Sequence, residues 1–281
     1  MNNTLLALAF GALLPCLALS QPAEAKDWSK IRIASEGAYA PWNGMDPSGK
    51  LIGFEIDLAQ SLCKRMQADC EIVAQDWDGM IPALQQGKYD AIMAAMSITD
   101  ERKAVMDFAG PYGTEPSAFS VLADSPLGQV VFASKRVNLS APDATGEAAL
   151  AELVKALKGK SIGVQTSTIQ ANFVDKYLPD VSVRTYDKLD SASIDLLAGR
   201  VDAILGDRSV IEALGASQGG KMVQFGPDFV RGVLGDGFGI GLRKADADLK
   251  AKFNDALAAA TADGTVSKLS LQHFGYDVSV K

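Results

Sequence analysis

Two rhythms of apolar residues alternate along this chain. Short runs of adjacent apolar and β-branched residues occupy positions 31–35, 70–74, 91–96, 161–165, 183–186, 203–205 and 238–242, and each reads as a strand. Between them, apolar residues recurring every three to four positions predict helices over 55–66, 79–86, 100–108, 148–157, 168–177, 191–198, 247–260 and 266–273. Such alternation builds βα units with mostly parallel sheets, whose ligand sites lie just beyond the carboxyl ends of the strands.

An internal echo points to two related halves. Gly87-Lys88-Tyr89-Asp90-Ala91-Ile92 recurs as Gly199-Arg200-Val201-Asp202-Ala203-Ile204, each copy with a leucine three residues before its glycine. Glycine suits the end of a helix, the cation suits the helix's negative pole, and Asp-Ala-Ile opens a strand. Two similar α/β lobes are expected, with the Gly-, Pro- and Ser-rich stretch 110–117 as the crossover and 232–239 as the return.

The first 25 residues break the alternation. Residues 5–19 are almost wholly apolar and too short to span a bilayer comfortably, and Ala23-Glu24-Ala25 supplies a small-x-small cleavage site. A secretory signal peptide cut after Ala25 is expected, although no Lys or Arg precedes its apolar run. Pro15 stands where a lipidated Cys16 would need a small residue, which argues against a lipid anchor. After Ala25 no apolar run reaches the ~18 residues of a membrane span, so a membrane-anchored sensor is not expected within this chain.

With 281 residues, 48% apolar and 22% charged, the composition is that of one large or two smaller folded domains. The 27 Lys and Arg against 34 Asp and Glu leave a net charge of −7, which argues against a nucleic acid or an anionic membrane as partner. Export changes how the cysteines read. Without Cys16, an even pair remains: Cys63 near the end of a predicted helix and Cys70 at the start of a strand. An α-to-β turn can bring them within bonding reach in an oxidising compartment; the alternative is two buried thiols. The lone histidine, His273, lies in a predicted surface helix far from them in sequence, and no metal is expected.

No nucleophile elbow, P-loop, GxGxxG or HExxH occurs. What remains is a set of polar and aromatic residues just after the strands. Glu36, Tyr39 and Trp42 follow the first, Trp77 the second, Ser97 and Thr99 the third with Arg102 opening the next helix, Ser167 and Thr168 the fourth, and Asp207 the sixth. Together they suit an amino acid. Helix N-termini with Ser97, Thr99 and Thr168 offer donors to an anion, and Arg102 can grip a carboxylate bidentately. Asp207 can meet an ammonium, Tyr39 and Trp77 can stack a long or guanidinium side chain, and Glu36 can pair with its far end. Singly, each has an ordinary structural explanation; their joint placement at strand ends is what selects the functional one.

The run Gly53-Phe54-Glu55-Ile56-Asp57-Leu58-Ala59-Gln60-Ser61-Leu62-Cys63-Lys64-Arg65-Met66 resembles the signature of the family-3 extracellular solute-binding proteins, the polar-amino-acid receptors of ABC importers. The likeness continues through Tyr39-Ala40-Pro41-Trp42, Trp77-Asp78-Gly79-Met80-Ile81-Pro82, residues 90–99, Gly239-Ile240-Gly241-Leu242-Arg243-Lys244 and Asp263-Gly264-Thr265. Within the family the chain is similar to the lysine/arginine/ornithine and histidine receptors, and closer still to the octopine and nopaline receptors, as in Ala94-Ala95-Met96 and the ending Phe274-Gly275-Tyr276-Asp277.

The resemblance implies an α/β, two-lobed periplasmic binding protein fold, each lobe a mostly parallel sheet flanked by helices, joined by two hinge strands. Lobe 1 would comprise 26–114 with 236–281, and lobe 2 would comprise 115–235. It implies a monomer in the periplasm that binds one amino acid or opine, with no cofactor, and docks on an ABC permease in the inner membrane. Arg102, Ser97 and the Thr168 N–H would take the α-carboxylate and Asp207 the α-ammonium, with Tyr39 and Trp77 sandwiching the side chain and Glu36 at its end. Ala95, Gln165 and Ser167 complete the expected ligand-binding set. Cys63 and Cys70 match the family's disulfide. Ala94 and Ala95 stand where the basic-amino-acid receptors carry two serines, as in the opine receptors, yet those lack an acid where Asp207 stands. The expectation is therefore a receptor for a basic amino acid, with an opine receptor as the alternative and a periplasmic dehydratase on the same fold, using Glu36 or Asp207 as general acid, a distant third.

Overall fold

In the computed structural model, which describes residues 26–280, the chain forms two α/β sheets in succession; the expected signal peptide lies outside the described residues. The chain begins with β1 (Lys30–Ser35), the ribbon β2 (Gly44–Met45) and β3 (Leu51–Ile52), then α1 (Phe54–Met66), β4 (Asp69–Ala74), α2 (Met80–Gln85), β5 (Ala91–Ile92), α3 (Asp100–Val105) and β6 (Asp107–Gly113). It crosses into β7 (Ser117–Leu122), β8 (Arg136–Asn138), α4 (Ala144–Leu157), β9 (Ser161–Gln165), α5 (Ile169–Tyr177), β10 (Ser182–Tyr186), α6 (Leu189–Leu197), β11 (Ala203–Asp207), α7 (Arg208–Ser217) and β12 (Met222–Val230). It then returns as β13 (Phe238–Leu242), α8 (Ala247–Ala262) and α9 (Thr265–Phe274).

The first sheet has the order β4-β1-β5-β13-β6 and the second β10-β9-β11-β7-β12-β8. Both are mixed. The pairs β1 with β4 and β5, and β9 with β10 and β11, are parallel, as βα units require. The strands bordering the crossovers, β6, β7 and β13, pair antiparallel with their neighbours.

Helices cover both faces, which is why the central strands are apolar almost throughout. In the first lobe Phe54, Leu58 and Leu62 of α1 join Ile31, Ile33, Leu249 and Phe253 in one core, while Met80, Leu84, Ile92 and Met106 fill the other side of the sheet. In the second, Leu153, Leu157, Ile162, Val164, Phe173 and Phe229 pack together on one face. The disulfide is present: Cys63 on α1 and Cys70 on β4 are joined, with Cα atoms 6.1 Å apart.

The sequence echo has a structural basis. Gly87 and Gly199 both take positive φ (73° and 67°) after α2 and α6. Each N–H reaches back to the leucine three residues earlier. The two aspartates are equivalent as well: Asp90 accepts from the backbone N–H of Arg32 on β1, and Asp202 from that of Ser161 on β9. Each thereby ties the start of one strand to its parallel neighbour.

Three local expectations change. The helix predicted over 100–108 stops at Val105, and Asp107 and Phe108 belong to β6, where pairing with β13 overrides helical spacing. The strand predicted over 91–96 keeps its ladder only at Ala91–Ile92: Ala95 takes φ 47° and breaks the extended backbone, and the chain meets β13 of the same sheet again through a bridge between Ser97 and Phe238. The crossover expected over 110–117 narrows, since 110–113 end β6 and Ser117 opens β7, which leaves 114–116 between the two strands. No helix among the described residues is long and apolar enough to cross a membrane.

Candidate functional site

Where β1 ends, the chain leaves the sheet through a tight loop closed by Tyr39 and Asn43, whose backbones exchange hydrogen bonds of 2.8 and 3.2 Å. The Asn43 side chain stitches the loop down. Its Oδ1 accepts from the Gly37 N–H (2.8 Å) and its Nδ2 donates to Glu55 (2.7 Å). Glu55, in the first turn of α1, is fully buried and also accepts from the Ala95 N–H (2.6 Å) and the Tyr112 hydroxyl. One buried carboxylate thus fixes the loop carrying Glu36 and Tyr39 together with the strained backbone at Ala95. Burial pushes its pKa up, against the pull of these donors.

Arg102 comes from the first turn of α3. Thr99 caps that helix, accepting from the Arg102 N–H (3.2 Å), and the guanidinium turns inward to donate to the Ser97 carbonyl (2.9 Å). Its charge lies 5.2 Å from the centre of the Trp77 ring. From the second lobe, Thr168 caps α5 in the same manner, and Gln165 and Asp207 end β9 and β11. All these pieces stand at the carboxyl ends of parallel strands or the helix starts that follow.

They form a cavity between the lobes, lined by Glu36, Tyr39, Trp77, Ala94, Ala95, Ser97, Arg102, Gln165, Thr168, Ile169, Gln170 and Asp207. Hydrogen bonds close it from both sides: the Tyr39 hydroxyl to Asp207 (3.0 Å) and Gln165 Nε2 to Glu36 (2.6 Å). Two carboxyl groups face one guanidinium. Burial pushes Glu36 up to about 7, against the Gln165 hydrogen bond. Burial, and then the nearby charge of Glu115, push Asp207 up to about 8, opposed by Tyr39, Ser117 and Arg102. Burial lowers Arg102 to about 10. Such a cavity favours a ligand that brings one carboxylate for Arg102 and more than one positive charge for the acids.

Nine of the ten expected ligand-binding residues line this cavity. The tenth, Ser167, sits on its rim. Held at φ 55°, Ser167 donates its hydroxyl to Asp78 (2.8 Å), and its carbonyl accepts from Trp77 Nε1 (3.3 Å). Trp42 is not part of the lining; it is fully buried in the core and donates to Glu115 and Ser209 beside the crossover. Sequence reasoning missed Glu55 and Gln170. Glu55 is one of two acids in the first turn of α1, and the spacing does not say that it turns inward while Asp57 meets His273 at the surface (2.8 Å).

The sequence profile of the bacterial extracellular solute-binding proteins, family 3, matches residues 31–276. The chain is 39% identical over 269 residues to an octopine-binding periplasmic protein of Rhizobium meliloti, covering 89% of this chain and 91% of that one. It is 34% identical over 275 residues to an L-arginine-binding protein of Pseudomonas aeruginosa, covering 95% and 97%. Among solved structures, a periplasmic His/Glu/Gln/Arg/opine family-binding protein from Silicibacter pomeroyi in complex with lysine superposes with a TM-score of 0.73 at 31% identity, covering 89% of this chain and all of that one. By profile, sequence and fold, the chain belongs to the bacterial extracellular solute-binding proteins, family 3.

Proposed function

We propose that this protein captures a basic amino acid of the arginine type in the periplasm, after export through its N-terminal signal peptide, and delivers it as a monomer to an ABC permease. The observation that carries the reading is the charge pattern of the cavity, in which Arg102 is enclosed with two carboxyl groups, Glu36 and Asp207. An amino acid with a cationic side chain brings one carboxylate and two positive charges, which complement that set group for group. Arg102, Ser97 and the Thr168 N–H receive the α-carboxylate, Asp207 the α-amine and Glu36 the distal cation. Tyr39 and Trp77 flank the aliphatic stem, and Ala95 and Gln165 bound it. The chain segments between β6 and β7 and between β12 and β13 serve as the hinge, dividing the mature chain into 26–114 with 236–281 and 115–235. Contacts from both lobes to one ligand favour the closed state. Catalysis forms no part of this reading: a cationic ligand draws Glu36 and Asp207 into their charged forms and removes the proton that a general acid would need.

An opine is the second reading, favoured by the 39% identity to the octopine-binding protein and by the hydroxyl-free wall at Ala94 and Ala95. Its additional carboxylate would lie near Asp207, and that repulsion ranks it second. A thermal-shift screen against arginine, lysine, ornithine, histidine, octopine and nopaline decides between them. A ligand at ~100 times its Kd adds ~2.7 kcal/mol of stability. Asp207→Ser should weaken arginine binding and weaken opine binding less, or improve it. Tight octopine or nopaline binding that Asp207→Ser abolishes reverses the order, and no shift with any of the six rejects both.

A further inference from the structure

Asp207 does not stand alone in the cavity. It ends β11 directly opposite Ser117, the first residue of β7, in the antiparallel ladder. The Ser117 hydroxyl donates to Asp207 Oδ1 (3.3 Å). A second donor arrives from the first turn of α5, two residues past its cap. Gln170, almost fully buried at 4% exposure, places its amide nitrogen 3.0 Å from Asp207 Oδ1 and 3.0 Å from the Ser117 hydroxyl oxygen. The two amide hydrogens thus reach Asp207 twice, once directly and once through Ser117. Among the described residues the other oxygen, Oδ2, accepts only from the Tyr39 hydroxyl (3.0 Å).

We propose that Gln170 is a positioning residue of the amine subsite: with Ser117 it occupies Oδ1 of Asp207, so that the carboxylate presents Oδ2 to the ligand's amine. The inference rests on the amino-acid or opine reading above and adds to it the residue that sets the carboxylate's orientation. A carboxylate has about four acceptor positions. Two are filled on Oδ1 and one on Oδ2, which leaves the ligand a single, directed place. A neutral amide is the side chain this task requires. A Lys or Arg there would neutralise Asp207 and compete with the ligand's ammonium, and an acid would repel it. Donation by Gln170 also favours the ionised form of Asp207. That form is opposed by burial and by Glu115 from the crossover, and supported by Arg102 from α3 and by Tyr39 from the loop after β1.

The test is Gln170→Met, which keeps the length of the side chain and removes its donors. Calorimetry compares arginine with 5-guanidinopentanoate, which is arginine without its α-amine, on the unmutated protein and the variant from pH 6 to 9. The expected result is a loss of about tenfold or more for arginine, with little change for 5-guanidinopentanoate. The midpoint at which arginine affinity rises with pH should also move about one unit alkaline, since one unit corresponds to a tenfold change. Ser117→Ala, a smaller change that removes only the relayed contact, should give a weaker effect of the same sign. If the unmutated protein takes octopine in place of arginine, the same alkaline shift is read on octopine. Equal losses for both guanidino ligands, or an unmoved pH midpoint, would mean that Gln170 only supports the wall and would overturn the inference alone. An unmutated protein that binds neither arginine nor octopine overturns the reading on which it rests.

Discussion

Tyr39 and Asp207 meet across the cleft through two hydrogen bonds: the phenol donates to Asp207 Oδ2 at 3.0 Å and accepts from the Asp207 N–H at 3.2 Å. One comes from the loop after β1 and the other from the end of β11, so this contact joins the lobes at the site itself. The phenol group therefore has two tasks, closing the cleft and orienting the carboxylate.

Tyr39→Phe keeps the ring and removes both bonds. It should weaken the cognate ligand by ~1.5–3 kcal/mol, the range for a hydrogen bond to a charged group, with the thermal midpoint of the empty protein little changed. An unchanged Kd by calorimetry would show that closure does not depend on this contact.

Among the described residues Arg102 is the only cation lining the cavity, and its guanidinium is oriented by the Ser97 carbonyl. Arg102→Ala should cost ~2–5 kcal/mol of binding, much of it from leaving the ligand's carboxylate unpaired in a closed cleft. The fold should survive, as a circular dichroism spectrum can check, because the side chain contributes little to either core. Retained affinity would remove Arg102 from the site.

Both cavity acids titrate upward from the ordinary carboxylate range, Glu36 to about 7 and Asp207 to about 8, chiefly through burial. A raised carboxyl group stabilises the empty protein most below its unfolded pKa, and that contribution is lost as pH rises through its folded value. The empty protein should thus lose thermal stability between about pH 5 and 8. A cationic ligand favours the charged forms, so binding releases protons and affinity rises over the same range. Calorimetry in buffers of different ionisation heat measures the release; at pH 6 about one to two protons per ligand are expected. Affinity that is flat from pH 6 to 8 would mean the acids do not face the ligand's cations.

Glu55 makes a prediction about stability rather than binding chemistry. Glu55→Ala strands the Asn43 amide, the Ala95 N–H and the Tyr112 hydroxyl in a dry interior. The expected cost is about 3 kcal/mol or more of unfolding free energy, read from urea denaturation, because each buried group loses its partner. Asp57→Ala, at the surface on the same helix, should cost less than about 1 kcal/mol.

Local order was largely legible in the sequence. The apolar runs marked β1, β9 and β13, helical spacing marked α1 and α8, and the repeated Gly-x-x-Asp-Ala-Ile marked two equivalent αβ turns, because each of these is fixed by interactions within a few residues. The pairing of Cys63 with Cys70 is also local, a separation of seven across one turn. The candidate residues themselves were visible as polar and aromatic positions just past strand ends, where α/β architecture exposes them.

What the tertiary structure decided is which of those residues meet. Tyr39 and Asp207 are 168 positions apart, and Gln165 and Glu36 are 129 apart; no periodicity in the chain records such partnerships. Gln170 looked like any polar residue in a helix, and Glu55 like any first-turn acid, until packing turned one onto Asp207 and the other beneath Ala95. The mixed pairing of β6, β7 and β13 was hidden for the same reason, since a strand's direction depends on the neighbour the crossover delivers. Local spacing fixes the elements, because helix and strand hydrogen bonds and side-chain faces repeat over short distances. The long-range closure of the two lobes on each other decides which side chains share the buried space between them.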